Sequence, residues 1–471
     1  MSSTPYAYQL RGVRKIQHFQ GRALLADEMG LGKTAQALWW VRDHLKPVVR
    51  GGKKVPAPVV IVCPKTIKEN WRREAVKHVG MRAVILDGMK PLKDKTQLHA
   101  GRVYIINYDV LGHPGKKSGT WLRWLRSLKP TCVIIDEAHY IKSLGARRTK
   151  AVRELCRGIK HVIAISGTPL TSRPAELWPV LNLLRPDVYP AFLPFAFKHC
   201  GARRTPWGWD FRGATRLKLL HRQLNEVCMI RRLKKDVMDQ LPAKTRSVVK
   251  IQMEKPREYQ QAEKDFIKWL AKRSKRKAMR AAKAVELVKL GHLKRLAGEL
   301  KLKAVFEWLD NYLEGTNEKL LIFGIHKVIL HAILTRYART AVLVDGSVTG
   351  TKRQAAIDRF NRDKSTRLFV GNIQAAGVGW SCTSTSNVLM VELDWVPGNH
   401  RQAEDRVHGI GRGKGAAQIW YVVAAGSIEE KICNVLEGKQ GTLDQALDGI
   451  KGKVSLPLHQ QLMSSYIGMT K

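Results

Sequence analysis

The sequence predicts an α/β protein built as two parallel-sheet lobes, with a helical and strongly basic insertion between them. Three observations carry this. Short apolar runs alternate with amphipathic stretches of helical length, those runs fall into two separate series, and the stretch from Leu219 to Glu314 has few strand signals. The first series predicts strands at Arg22–Ala26, Val59–Cys63, Val103–Asn107, Cys132–Asp136 and His161–Ser166. The second predicts them at Lys319–Phe323, Ala341–Asp345, Arg367–Gly371, Val388–Glu392 and Ala417–Val423. Helices are expected at Thr66–His78 and Lys352–Arg362, among others, with surface loops at Gly51–Lys54 and Gly112–Gly119. Residues 1–240 are read as lobe one, with a helical protrusion at about 190–235. Residues 241–450 are read as lobe two, with the basic insertion at about 255–315, and 451–471 as a C-terminal tail.

Composition narrows the partners. The 471 residues carry 83 Lys+Arg against 39 Asp+Glu, a formal net charge of +44, while hydrophobic content is an ordinary 44%. A folded chain with this much self-repulsion suits a polyanion, with nucleic acid ahead of an anionic membrane. No apolar stretch approaches the roughly 20 residues of a bilayer span, and Met1–Pro5 has no signal-like n-region. Seven cysteines (63, 132, 156, 200, 228, 382 and 433) without a CxxC argue against a disulfide framework or a zinc site, and point to a reducing compartment.

Three short elements carry chemistry, each following an apolar strand. Asp27-Glu28-Met29-Gly30-Leu31-Gly32-Lys33-Thr34 leads into the helical Ala35–Val41, forming a strand, glycine loop and helix N-terminus that can cradle phosphate. Lys33 would bridge the β and γ phosphates and Thr34 would hold Mg²⁺, although Asp27 stands where the usual pattern has its first Gly. Val133–Ile135 delivers Asp136 and Glu137, the first suited to the Mg²⁺ shell and the second to activating water. Ser166-Gly167-Thr168-Pro169 is the third element. Trp39-Trp40 and Trp121/Trp124 could be stacking platforms, but aromatics at helical spacing read as core.

DEMGLGKT, IIDEAH and SGTP together resemble the signatures of superfamily-two helicase-like ATPases, in the Swi/Snf-type branch of double-stranded DNA translocases, where Asp at position 27 is the normal variant. Tyr8-Gln9, Val62–Thr66, Arg173-Pro174 with Glu176–Trp178, and Gln402–His408 resemble further motifs of that branch. Met229–Val237 followed by Leu241–Lys244 is most similar to the annealing-helicase, fork-remodelling subgroup. The resemblance runs from about Tyr6 to Glu430 and implies two RecA-like lobes that hydrolyse ATP with Mg²⁺ and move along DNA. Lobe one would bind nucleotide through Gln9 (adenine), Asp27, Gly30, Leu31, Gly32, Lys33, Thr34, Asp136 and Glu137. His139, Ser166 and Thr168 would couple the site to DNA, and lobe two would add Gln402, Arg406 and Arg412. The DNA track would use Lys65, Thr66, Asn107 and Arg173 in lobe one, and His326, Arg353, Gln374 and Trp395 in lobe two.

The chain departs from the pattern at Gly409, where the family has a second arginine, and at Arg412, where it has Gln. Either Arg412 replaces the missing arginine or hydrolysis is weak. Asp394-Trp395-Val396-Pro397 and Gln374–Ser381 are only approximate copies of their motifs. Lys272–Lys277 (KRSKRK) resembles a nuclear-localisation patch, or is one basic face of a helix able to grip a second duplex arm. The implied function is remodelling of forked or branched DNA by annealing or branch migration, in replication, recombination or repair. A strand-separating helicase on DNA or RNA is the alternative, but the sequence offers no duplex-splitting pin; a weakly catalytic, nucleotide-gated DNA-binding module is another. The length leaves no room for the accessory domains of a chromatin remodeller. A monomer is expected, in the cytoplasm of a bacterium or phage-infected cell, or in the nucleus of a eukaryote.

Overall fold

The computed structural model describes residues 4–50, 53–88, 103–113, 120–167, 169–170, 173–206, 208–237, 244–274, 280–348, 350–376, 380, 382–408 and 416–433. They fall into two compact units that divide at residues 241/242.

In unit one, β1 (Arg22–Leu25), β4 (Val59–Cys63), β5 (Ala83–Ile85), β6 (Val103–Asn107), β7 (Cys132–Asp136), β8 (His161–Ile165) and β11 (Met229–Ile230) form one parallel sheet. Its order is β11-β1-β8-β7-β4-β6-β5. β4, β6 and β7 are buried at every position, which is why they read as unbroken apolar runs: helices cover both faces of a parallel sheet. Two antiparallel hairpins stand outside the sheet, β2 (Val48–Arg50) with β3 (Lys53–Val55), and β9 (Arg203–Thr205) with β10 (Gly208–Asp210). The first places Lys53 and Lys54, expected in a surface loop, in a strand. Trp39, Trp40 and Trp121 are fully buried and Trp124 packs edge-on against Trp121, so these indoles are core and not stacking platforms.

In unit two, β12 (Lys244–Ile251), β13 (Leu320–Gly324), β14 (Ala341–Val344), β15 (Leu368–Asn372), β16 (Asn387–Met390) and β17 (Ala417–Ala424) form a second parallel sheet, ordered β12-β17-β16-β13-β15-β14. β12 corrects the expectation that the middle of the chain is nearly strand-free. It is an edge strand registered along all eight residues of β17, and it shows only a weak inward face. Lys-Thr-Arg-Ser-Val-Val-Lys-Ile therefore looks polar, as exposed edges do.

The basic insertion is structurally part of unit two. Helices Pro256–Ser274 and Arg280–Leu300 close over Val423, Ala424, Ile428 and Ile432 with Tyr259, Phe266, Leu290, Leu293 and Ala297. The side chains of Lys272–Lys277 lie outside the described residues. No described helix is long and apolar enough to cross a membrane.

Unit two also buries a complete ion pair. The Lys301 ammonium donates to both Glu429 oxygens (2.8 and 2.6 Å) and to Val422 O (2.8 Å), and neither side chain is exposed. Removing one partner strands the other charge in the core, which typically costs about 3–5 kcal/mol, whereas replacing both with apolar groups is nearly neutral. Glu429→Ala should therefore lower the stability of unit two by roughly that amount in chemical denaturation. Lys301→Met combined with Glu429→Leu should recover most of it. Equal stability of Glu429→Ala and wild type would show that the pair is dispensable.

Candidate nucleotide and nucleic-acid sites

Ligand sites of open α/β sheets gather beyond the carboxyl ends of the strands, and several lobe-one candidates of unit one lie at those ends. Along that edge stand Arg231 after β11, the Asp27–Lys33 loop after β1, Ser166 after β8, Asp136 at the end of β7, Lys65 after β4 and Asn107 at the end of β6. Gly30 and Gly32 have φ of 89° and 71°, which only glycine adopts without strain, and Gly32 caps the helix Lys33–His44. A Cβ on Gly32 would sit 2.3 Å from Gln9 Nε2, so a side chain there would push that amide away from the loop. Gln9 is buried; its Nε2 donates to Leu31 O (3.3 Å) and its Oε1 accepts from Tyr6 N (2.9 Å).

Lys33 donates to Asp27 O (2.8 Å) and Glu28 O (3.2 Å). Burial lowers its ammonium to about 8 against the opposing pull of Asp27 and Glu137, leaving it mostly charged at pH 7. The Asp27 carboxylate is fully buried and pairs with Arg232, whose Nε donates at 2.9 Å, while Gln36 Nε2 donates at 3.0 Å. Arg232 also donates to Gln36 Oε1 (2.7 Å) and to Tyr8 O, and lies over the Tyr8 ring. Arg231 donates to Ala26 O (2.7 Å) and Gly167 O (3.1 Å), joining β1 to the Ser166-Gly167 turn. A Cβ on Gly167 would meet Met29 at 2.3 Å and Lys33 Nζ at 3.3 Å.

Asp136 accepts from Trp71 Nε1 (2.7 Å) and Glu137 N (2.8 Å), while its carbonyl accepts from Tyr108 OH (2.5 Å). Burial, together with the Glu137 charge, pushes its carboxyl up from the usual range. Glu137 has φ of 51°, a strained value for a residue with a side chain, of the kind found at functional positions. His139 Nδ1 lies 3.3 Å from Glu137 Oε2 and 3.3 Å from Ser166 Oγ, so it physically connects the second element to the third. Burial holds that imidazole down to about 4, neutral at pH 7. Thr168 lies outside the described residues. The glycine cradle, the enclosed ammonium and the carboxylate at 136 suit a magnesium-bound nucleoside triphosphate.

The polynucleotide candidates divide. Lys65 is exposed and Thr66 partly exposed on the turn after β4, and Asn107 is buried at the register partner of Cys63, with Oδ1 unpartnered among the described residues. Arg173 stands 3.9 Å from Glu176, which also reaches Lys142. In unit two, Glu392 receives Ile325 N (2.6 Å), His326 N (2.8 Å) and His326 Nδ1 (2.5 Å), fixing His326 at a helix start. Exposed Gln374 donates to Asp394 (3.1 Å), and Trp395 carries the Lys294 ammonium over its ring at 5.1 Å. Arg353 is buried at 4% exposure, as Asn107 is at 2%.

Gln402 and Arg406 are buried in unit two. Arg406 Nε donates to Gln402 O (3.0 Å) and its Nη1 to Trp380 O, so the guanidinium is committed to backbone carbonyls. Gly409 and Arg412 lie outside the described residues. Glu404, 1% exposed, is clamped by Lys244 (3.0 Å), Arg246 (2.6 Å) and Tyr421 (2.7 Å). Burial alone would raise its carboxyl; Lys244 and Arg246 overcome this and hold it at about 2.

Sequence reasoning did not assign roles to Arg231, Arg232, Glu392 or Glu404. Two of them lay in plain view within Met229–Val237, but nothing in the letters says that Arg232 returns to residue 27.

The model of the SNF2-related domain matches residues 8–299, and that of the helicase conserved C-terminal domain matches 301–411. SWI/SNF-related matrix-associated actin-dependent regulator of chromatin subfamily A-like protein 1 of Xenopus tropicalis is 32% identical over 462 residues, covering 95% of this chain and 45% of that protein. DNA annealing helicase and endonuclease ZRANB3 of Mus musculus is 31% identical over 464 residues, covering 95% and 41%. The chain thus spans under half the length of either relative. A solved Sulfolobus solfataricus SWI2/SNF2 ATPase core in complex with dsDNA aligns at 22% identity and a TM-score of 0.43, over 93% of this chain and 91% of that one. With the first match alone taking in more than half of its residues, the chain belongs to the SNF2-related family.

Proposed function

We propose that the chain is an ATP-driven translocase on double-stranded DNA that remodels forked or branched DNA, annealing or branch-migrating it in replication, recombination or repair. The observation that carries the reading is the convergence of the glycine cradle, the Asp136-Glu137 pair and the His139–Ser166 contact on one sheet edge. The relative named as an annealing helicase and the +44 charge support DNA as the track.

In this reading Lys33 and the backbone of residues 30–34 bind the phosphates. Thr34 and Asp136 would hold Mg²⁺, which supplies charge neutralisation on the β and γ phosphates. Glu137 orients and deprotonates the attacking water, and His139 ties its position to Ser166. Lys65, Thr66, Asn107 and Arg173, with His326, Gln374 and Trp395, contact the DNA backbone.

Lys33→Ala should abolish ATP turnover while leaving duplex affinity close to wild type, since the cationic surface does not depend on the cradle. Glu137→Gln should bind ATP with near-normal affinity and fail to hydrolyse it. Near-wild-type turnover in either variant, in a steady-state phosphate-release assay, would place the active site elsewhere.

Duplex affinity should fall steeply with salt. About six phosphate contacts would cost roughly 10³ in affinity between 50 and 200 mM salt. A shallow slope in equilibrium binding would remove the electrostatic argument for DNA.

Gly409 stands where the family has its second arginine, and in this reading Arg412, three residues on, supplies the missing charge. Arg412→Ala should lose about 10² or more in DNA-stimulated kcat and little in the basal rate, by analogy with arginines that reach phosphate in other nucleotide hydrolases. Adding Gly409→Arg should restore much of that loss. Wild-type turnover in Arg412→Ala would end the replacement idea. If duplex, fork and single strand all failed to stimulate the wild type, the nucleotide-gated binding module would become the better reading.

A further inference from the structure

The hairpin β9–β10 is a feature that the sequence does not reveal. It pairs only with itself among the described residues, and a lone two-stranded hairpin needs packing to persist. An aromatic ladder supplies it. Trp178, buried at the base, meets Phe192 edge-on (5.7 Å); Phe192 meets Phe211 (5.5 Å), and Phe211 meets Phe197 (5.7 Å). The ladder ends on Trp209, 4.7 Å from Phe197 and stacked over Phe211 at 14°. Unlike Trp178, this last indole is 51% exposed, and Phe197 beside it is 47% exposed.

Exposed aromatic surface held this rigidly marks a binding site, and the charges around it select the ligand. Register places Arg204 directly opposite Trp209, on the same face of the hairpin. Arg204 is exposed and forms no ion pair among the described residues. On the other face Asp210, 9% exposed, is fully engaged: it accepts from Arg212 (2.8 and 2.9 Å) and Arg203 (3.4 Å). The acid thus orients two guanidiniums and leaves no negative charge on the rim. A π-face with cations beside it fits a nucleobase stacked on the indole and its phosphate on Arg204. Pairs in the interior of a duplex are stacked on both faces and cannot offer that face, whereas every unpaired base can. We propose that β9–β10 is a stacking platform for unpaired bases of single-stranded DNA, the kind exposed at a fork or branch point.

The inference rests on the chain being a DNA enzyme, and the experiment separates the two. Binding is measured for a single strand, a fork with unpaired arms and a blunt duplex, alongside duplex-stimulated ATP turnover. Trp209→Ala should weaken single-strand binding by about 10-fold or more, the size of one lost base stack, and fork binding in the same direction. Blunt-duplex affinity and duplex-stimulated turnover should stay at wild-type level. Trp209→Phe should keep most of the single-strand affinity, and Arg204→Gln should reduce its salt slope by about one phosphate. A single strand carrying 5-iodouracil should photocrosslink at Trp209. Unchanged single-strand binding in Trp209→Ala, or equal losses on single strand and duplex, would overturn the platform. If wild-type turnover ignored duplex DNA, the translocase would fall while the single-strand affinities still decided the hairpin.

Discussion

The carboxylate of Asp27 is the constraint around which unit one is organised. A fully buried charge must be matched by another, and its partner, Arg232, arrives from the far end of the unit, just beyond β11. The same guanidinium binds the Tyr8 carbonyl of the first helix and Gln36 of the second. Close fit on the first helix follows: a Cβ at Gly12 would meet Gln36 Oε1 at 2.0 Å and Arg232 Nη2 at 2.6 Å. The phosphate loop is therefore not a freestanding turn. Its shape is set by an ion pair that exists only once the last strand has joined the sheet. A glycine at position 27 would free the loop but remove the charge on which Arg232 closes.

Unit two repeats the logic: Glu392 and Glu429 follow the ends of β16 and β17, while Glu404 ends a helix against the start of β12. Glu392 collects two backbone amides and His326, Glu404 collects Lys244 and Arg246, and Glu429 collects Lys301. In a chain with 83 basic residues and 39 acidic ones, these acids are not surface counterweights. They sit inside, where a neutralised carboxylate fixes backbone geometry, and the excess cations are left for a polyanion. Structure and ligand attraction are thereby assigned to different parts of the charge.

Legibility in the sequence followed burial. β4, β6 and β7 were readable to the residue because a strand covered on both faces is a continuous apolar run. β12 was missed because an edge strand wears its charges outward, and β9–β10 because three-residue strands carry too little pattern to detect. Lys33, Asp136 and Glu137 were legible because their motifs are local. Arg232, Glu392 and Glu404 were not, since their meaning lies in partners up to 205 residues away.

The same contrast bears on where this protein divides. The SNF2-related match ends at residue 299, but the packing divides at 241/242. The stretch between, from β12 through the helix Arg280–Leu300, supplies the edge of the second sheet and a wall of its core. It also supplies Lys244 and Arg246, the counter-charges of Glu404, two residues from Gln402 and two from Arg406. A second lobe cut at the end of the first match would leave Glu404 buried without either cation, and with it the helix that presents residues 402–406. The described residues of 244–300 thus pack as part of unit two, although the sequence match counts them with the first domain.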